Sequence, residues 1–241
     1  MTSQTNEFGQ PVGPALPHWQ GACLPPRTTM SGRLCRVEPL QTEIHATDLF
    51  RAFSKDTQGR LWTYMSYGPF ATQAQFTAWV DAASRQTDPL FHAIVDETTG
   101  KALGLCAFLR IKPDVGVIEV GSITFAPELQ QTAMATEAMF LMMSRVFDEL
   151  GYRRYEWKCD ALNAPSRQAA VRLGFTFEGT FAQAAVYKGR SRDTAWYAML
   201  DHQWPALKTA YLKWLDPKNF DARGVQIDKL NSLLTRADPP G

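Results

Sequence analysis

The feature that most constrains the fold is a strand–helix–strand succession in the middle of the chain. Val117–Phe125 (VIEVGSITF) is rich in the β-branched and aromatic residues that suit a strand, and it runs into Ala126-Pro127. Gln130–Leu150 then carries apolar residues at helical spacing and stops at Gly151, a residue type that readily takes the left-handed conformation of a helix end. Tyr152–Cys159 (YRRYEWKC) reads as the next strand. Strands joined through a crossover helix lie parallel, and the connection is right-handed. The chain is therefore expected to hold a parallel pair, with a strand-to-helix junction at Gln130–Thr136.

The segments on either side read as antiparallel. LFHAIVD and KALGLCAFLRI are joined by Glu97-Thr98-Thr99-Gly100 and continue into VIEVGSITF as a meander. Before them come a strand, RLCRVEPL, and two helices. The first helix has Thr42 or Thr47 as a cap and Leu49, Phe50 and Phe53 facing inward; the second starts at Thr72 with Phe76, Trp79 and Val80 as its stripe. Gly59–Phe70 between them is an aromatic loop. Further on, Pro165–Leu173 reads as a short helix, and Phe175–Tyr187 with Asp193–Leu200 as a hairpin. A tail helix follows Trp204-Pro205. The expected architecture is a mixed α/β (α+β) domain, a mostly antiparallel sheet with one parallel pair flanked by helices, over residues 32–205. A Pro- and Gly-containing arm (1–31) precedes it and a helical tail (206–241) follows.

Composition narrows the function. A length of 241 residues supports one full core, and a net charge of +1 gives no general attraction to nucleic acid or an anionic membrane. The apolar run Ala138–Met143 is far short of the ~20 residues that span a bilayer, and MTSQTNEFGQPVGPALPHW has neither the basic start nor the apolar centre of a secretory signal. Cys23, Cys35, Cys106 and Cys159 form no C-x-x-C pair, which points to free thiols in a reducing compartment, the cytoplasm by default. His18, His45, His92 and His202 are scattered, so no metal is expected. The phosphate-loop, serine-hydrolase and zinc-protease signatures are absent.

The junction LQQTAMATEAMFLMM (Leu129–Met143) has two readings. Any helix start offers unpaired N–H groups and a partial positive charge, enough to hold an anion, and Thr132 and Thr136 add hydroxyls. Ala133, Ala135 and Ala138 keep the first turns slim. Equally, this is an ordinary amphipathic helix start with small residues for packing. A later stretch bears on the choice: Asn163-Ala164-Pro165-Ser166, then Leu173-Gly174-Phe175 and Glu178-Gly179, all following the next strand.

With Gln130–Ala135 and Ala135-Thr136-Glu137-Ala138, these motifs resemble the GNAT superfamily of acetyl-CoA-dependent N-acetyltransferases, and within it the RimJ/RimL-like branch. The resemblance covers roughly residues 33–205. It implies that Gln130, Gln131, Thr132, Ala133, Met134, Ala135 and Thr136 cradle the pyrophosphate of acetyl-CoA, with Ala133 standing where the pattern has its first glycine. It implies that the sheet splays after Gly121–Phe125, so that Ile123, Thr124 and Phe125 pair with the pantetheine arm. Asn163 would bind the pantetheine or cap the following helix, and Arg172 would join the cofactor site. Where many members carry a catalytic tyrosine this chain has Ala170; Ser166, one turn earlier, is the candidate to stabilise the leaving sulfur, or else a helix-start hydroxyl.

Glu119 is the candidate base. Alternation puts it on one face of its strand with Gly121 and Ile123, and the competing reading is an ion pair to Arg110 or Arg154. Substrate contacts are expected from Trp62, Tyr64 and Tyr67 in the aromatic loop, from Glu119, from the Phe181–Tyr187 hairpin and from Asp193. Glu137 is expected to be structural. The resemblance thus implies transfer of acetyl from acetyl-CoA to a primary amine, on a protein N-terminus or a small molecule, by direct attack. The alternative is a GNAT-like protein that binds acyl-CoA without turnover. A third role, a homodimer contact through the tail residues Trp204, Tyr211 and Trp214, requires those aromatics to be exposed.

Overall fold

The structure, a computed structural model, describes residues 4–237. The first three residues of the arm and the last four of the tail lie outside the described residues. The strands are β1 (Gln4–Thr5), β2 (Pro11–Val12), β3 (Met30–Ser31), β4 (Cys35–Pro39), β5 (Leu90–Asp96), β6 (Ala102–Lys112), β7 (Val117–Phe125), β8 (Arg154–Asp160), β9 (Thr176–Tyr187) and β10 (Arg190–Leu200). The helices are α1 (Thr42–Phe53), α2 (Gln73–Ser84), α3 (Ala133–Ser144), α4 (Ala164–Arg172), α5 (Trp204–Leu215) and α6 (Leu230–Ala237). β1 and β2 pair only with each other; the rest form an eight-stranded sheet in the order β3-β4-β5-β6-β7-β8-β10-β9. Every neighbouring pair in it is antiparallel except β7 and β8, which run parallel as the crossover requires.

Side-chain alternation divides the sheet into two buried faces. On β6, Leu105 and Ala107 join one core with α1 and α2, whereas Cys106 and Phe108 join the other with α3 and α5. α1 buries His45, Leu49 and Ala52 and α2 buries Phe76, Val80 and Ala83, each a single helical stripe. α3 is different. Nearly all of Ala135–Met143 is buried, because this helix lies between the sheet, β4 and α5. Its last turn widens into a π-helix, Arg145–Glu149, before Gly151 (φ +73°) turns the chain into β8.

Four expectations need correction. Neither Thr42 nor Thr47 caps α1; Gln41 holds the cap position, and its N–H donates to His45 Nδ1 at 3.0 Å. The crossover helix begins at Ala133 instead of Gln130, because Gln131 takes a left-handed φ of +60° and Thr132 is the N-cap. The tail holds two described helices instead of one. Trp204, Tyr211 and Trp214 are buried, with Phe140 stacked on Tyr211 and the Trp214 indole bonded to Gln226, so these aromatics are internal packing. The arm lies on the domain from Trp19 onward: Trp19 bonds to Asp114, Cys23 to Leu150, and Thr28 and Thr29 to Arg145.

Glu137 ties the start of β4 to α3. Its carboxylate accepts from the N–H groups of Arg33 (3.1 Å), Leu34 (2.6 Å) and Cys35 (2.9 Å) and is almost wholly buried. Glu137→Gln turns an amide donor toward one or more of these donors. It is expected to cost about 1–3 kcal/mol, read as a lower midpoint in urea unfolding with an unchanged m-value.

Candidate active site

The junction before α3 is built by short-range hydrogen bonds. Gln130 is tied backward: its N–H donates to Ala126 O (3.2 Å) and its side-chain amide to Phe125 O (3.0 Å). Thr132 Oγ1 donates to Leu129 O (2.8 Å) and accepts from the Ala135 N–H (3.1 Å). The N–H groups of Gln131, Thr132, Ala133 and Met134 donate to no other described residue. Over the same turn, Arg172 of α4 donates from Nη2 to Thr136 Oγ1 at 2.8 Å. Unpaired N–H groups at the positive end of a helix, with a guanidinium held beside them, are an arrangement suited to an anion.

A strand edge adjoins that site. β7 and β8 pair only from Val117↔Arg154 to Val120↔Trp157, although both strands continue. Gly121–Phe125 therefore faces β8 with its backbone unpaired, the splay that the resemblance implies. On its other side β7 slips register against β6 between Leu105 and Ala107, and Ser122 within the slipped stretch has φ +51°. α4 closes the far wall of the gap. Asn163 caps it by accepting from the Ser166 N–H (3.1 Å), and Ser166 Oγ accepts from Trp157 Nε1 (3.0 Å). The Ser166 hydroxyl also lies in hydrogen-bonding contact with the Cys159 sulfur, to which its own hydrogen is free to donate.

Glu119 is held in an alternating chain of charges. Arg110 Nη1 lies 2.7 Å from both of its oxygens, and Lys158 Nζ lies 3.0 Å from Glu119 Oε2 and 2.7 Å from Glu156 Oε2. Arg154 continues the chain, bonding Glu156 at 2.6 Å and gripping Glu178 with both terminal nitrogens. The Glu119 and Lys158 side chains are only 4% and 6% exposed. Burial outweighs the two cations and holds the Glu119 carboxyl above its usual range, whereas Lys158 and Arg154 overcome burial at Glu156 and hold it below. Lys158 Nζ also sits 3.7 Å from the centroid of the Trp196 ring, which stacks on Phe181. Of the two expected partners of Glu119, the structure gives Arg110.

The aromatic loop and the last hairpin meet beside this chain of charges. Lys188 Nζ donates to Trp62 O (2.7 Å), Tyr64 Oη to Leu162 O (3.2 Å), and Tyr187 Oη to Asp160 Oδ2 (2.7 Å). Tyr67 packs on Trp79 with its hydroxyl buried. Asp193 accepts from the Gln183 N–H (2.7 Å) at a strand irregularity, so its carboxylate serves the hairpin's own backbone. Among the described residues no group of His, Cys, Asp and Glu is placed to hold a metal, and no helix is long and apolar enough to cross a membrane.

A family profile described as "Acetyltransferase (GNAT) domain" matches residues 35–176. The chain belongs to this GNAT acetyltransferase family. Among solved structures, a GCN5-related N-acetyltransferase from Brucella melitensis is 48% identical, with a TM-score of 0.89, and the match covers 91% of this chain and 100% of that one. A probable acetyltransferase (GNAT family) from Chromobacterium violaceum ATCC 12472 is 38% identical, with a TM-score of 0.75 over 81% of this chain and 98% of that one. RimL, a ribosomal L7/L12 alpha-N-protein acetyltransferase, shares the fold at 19% identity and a TM-score of 0.62, covering 71% and 93% of the two chains. No curated protein matches significantly.

The splayed strand pair and the junction with its unpaired N–H groups lie side by side, with Ala133 opening α3 and Ala170 fully buried in α4. Sequence reasoning missed Lys158, Glu156 and Trp196. A signal for the first two was present: Arg154, Glu156 and Lys158 alternate with Tyr155, Trp157 and Cys159 along one strand, so three charges share one face.

Proposed function

We propose that the chain transfers an acetyl group from acetyl-CoA to a primary amine, on a protein N-terminus or a small molecule, by direct attack within a ternary complex. The observation that carries this reading is the α3 junction, where unpaired N–H groups and the Arg172 guanidinium adjoin the unpaired edge of β7. Acetyl-CoA fits such a site, since a diphosphate suits the helix start and the amides of pantetheine suit a strand edge. Gln131–Thr136 and Arg172 would hold the diphosphate, Gln130 would fix the turn, and Ile123, Thr124 and Phe125 would pair with the arm. Asn163 would hold the α4 loop in place.

When bound, acetyl-CoA supplies the activated acyl group; the chain supplies position and charge. Ser166 would stabilise the departing sulfur by turning its hydroxyl hydrogen from Cys159 toward it. A base role for Glu119 requires the amine to displace Arg110, whose side chain is largely exposed. The alternative role of Glu119, ion pairing that shapes the groove, rests on the same contacts. Trp62, Tyr64, Tyr67 and the β9–β10 hairpin would line the acceptor side, in the manner of the RimJ/RimL-like branch, with Asp193 shaping that hairpin. The catalytic unit would be residues 32–205, with the arm and tail as supports. A cytoplasmic location accords with the four free cysteines.

Non-catalytic binding of acyl-CoA is the second reading, favoured by Ala133 and by the buried Ala170 in place of a tyrosine. Acetyl-CoA-dependent release of CoA with a panel of peptide and small-molecule amines separates the two. Turnover well above the amine-free rate with one class of amine is expected. Tight acetyl-CoA binding with no turnover on any amine would leave the binding reading.

A further inference from the structure

An open groove of about 600 Å³ runs along the outer face of α4, between β10 and the tail helix α6. Arg167, Gln168, Val171 and Arg172 form one wall, recurring at helical spacing on the side away from Ala170 and Leu173, which enter the core. Tyr197 and Asn231 close it from β10 and α6. Among the described residues no acidic side chain lines the groove, and neither arginine holds a carboxylate. Arg167 donates from Nε to Tyr197 Oη (3.1 Å) and from Nη1 to Ala161 O (3.3 Å), and Arg172 from Nη2 to Thr136 Oγ1 (2.8 Å). By contrast Arg36, Arg110 and Arg154 each hold a glutamate.

Two cations without counter-charges on an otherwise neutral wall give the groove a positive field, and each guanidinium keeps N–H donors that its neutral partners leave over. Phosphate oxygens accept from such a fork more strongly than neutral groups do. Arg167 is already held in place, by Tyr197 and by the Phe177 ring 5.9 Å from its guanidinium carbon, so little freedom remains to be lost on binding. Val171, 55% exposed, offers apolar ground beside it for the flat face of a base. Arg172 belongs to two sites at once, lining this groove and bonding Thr136 at the α3 junction. Five residues of helix set Arg167 and Arg172 roughly 7.5 Å apart along the axis. The ribose of CoA separates its 3′-phosphate from its 5′-diphosphate by a comparable span.

We propose that the groove along α4 receives the nucleoside end of CoA, with the Arg167 guanidinium on its 3′-phosphate and Val171 under its base. This rests on the acetyl-CoA reading above and adds a second anion contact to it. Arg172 joins the two, reaching the diphosphate at the α3 junction while Arg167 takes the phosphomonoester farther along the helix. The groove therefore lets the protein distinguish CoA from dephospho-CoA, which lacks only the 3′-phosphate.

The test compares calorimetric titrations of CoA, dephospho-CoA and inorganic phosphate into wild type, Arg167→Gln and Gln168→Glu. Wild type is expected to prefer CoA over dephospho-CoA by about three- to tenfold, the worth of one solvent-facing charge-assisted contact. Arg167→Gln should abolish that preference while leaving dephospho-CoA affinity within about twofold. Gln168→Glu sits at an exposed position, keeps the Arg167 hydrogen bonds and brings a negative charge into the groove, so it should reduce the preference independently. Equal wild-type affinity for the two ligands would overturn the assignment while leaving CoA binding intact. Arg167→Gln that weakens both ligands alike, with the preference kept in Gln168→Glu, would show that Arg167 only steadies α4 and would overturn it too. Inorganic phosphate lost on Arg167→Gln, with no preference between the two ligands, would assign the groove to a free anion instead. Wild type that binds neither CoA nor dephospho-CoA would remove the proposed function, and this contact with it.

Discussion

Lys158→Met is expected to lower folding stability by about 3–5 kcal/mol at neutral pH, the range for removing one partner from a buried charge pair. Lys158 is the only described cation that bonds both Glu119 and Glu156, which face each other across the parallel pair. Its loss leaves two buried carboxylates side by side on one face, each with one arginine. The same change removes the cation over the Trp196 ring. For a chain of 241 residues each kcal/mol is worth about 2–4 °C, so the thermal midpoint should fall by roughly 10 °C. The pH dependence has a definite sign. The Glu119 carboxyl is already raised above its unfolded value, and without Lys158 it rises further, so the folded state binds the extra proton more readily than the unfolded chain. The deficit should therefore shrink as pH falls from 8 toward about 5. Thermal unfolding across that range checks both statements, and a deficit independent of pH would contradict the electrostatic explanation. Pairing Lys158→Met with Glu119→Gln should restore part of the loss.

Ala133→Pro is expected to weaken acetyl-CoA binding by about 10- to 100-fold while leaving the fold intact. Ala133 is the first residue of α3, where proline is well tolerated because that N–H lacks an intrahelical acceptor. Thr132 before it is extended (φ −95°, ψ 162°), the conformation a following proline favours. The substitution thus deletes one of the proposed diphosphate donors and puts a ring where the anion would approach. Removing one charge-assisted hydrogen bond accounts for the lower figure, and the bulk of the ring for the upper. A thermal midpoint close to wild type, measured beside the titration, separates loss of the site from loss of the helix.

Much of the fold was legible from patterns whose physics is local. The apolar stripes of α1 and α2, the meander β5–β6–β7 and the parallel β7–β8 pair all follow from periodicity and connection rules. The start of α3 was misplaced by three residues because Gln131 takes a left-handed φ that its residue type does not advertise. The fate of the tail aromatics was a question of tertiary packing, and Phe140 in a distant helix answered it. The site divides the same way. Asn163 and Thr132 sit at helix caps, as their residue types favour. The charge chain through Lys158 depends on which strand residues stand opposite one another, and single-strand alternation shows only half of that. The hydroxyls of Tyr67, Ser122 and Thr124 come together from a loop and a strand far apart in sequence.

The proposed activity depends on the α3 junction holding CoA. Calorimetric titration of acetyl-CoA into the purified wild-type protein, with Ala133→Pro titrated beside it, tests this most directly. The expected result is wild-type binding in the micromolar range, on the order of −8 kcal/mol, that weakens at least tenfold in the variant at unchanged thermal stability. Wild-type protein that binds neither acetyl-CoA nor CoA, or a variant that binds as tightly as wild type, would contradict it.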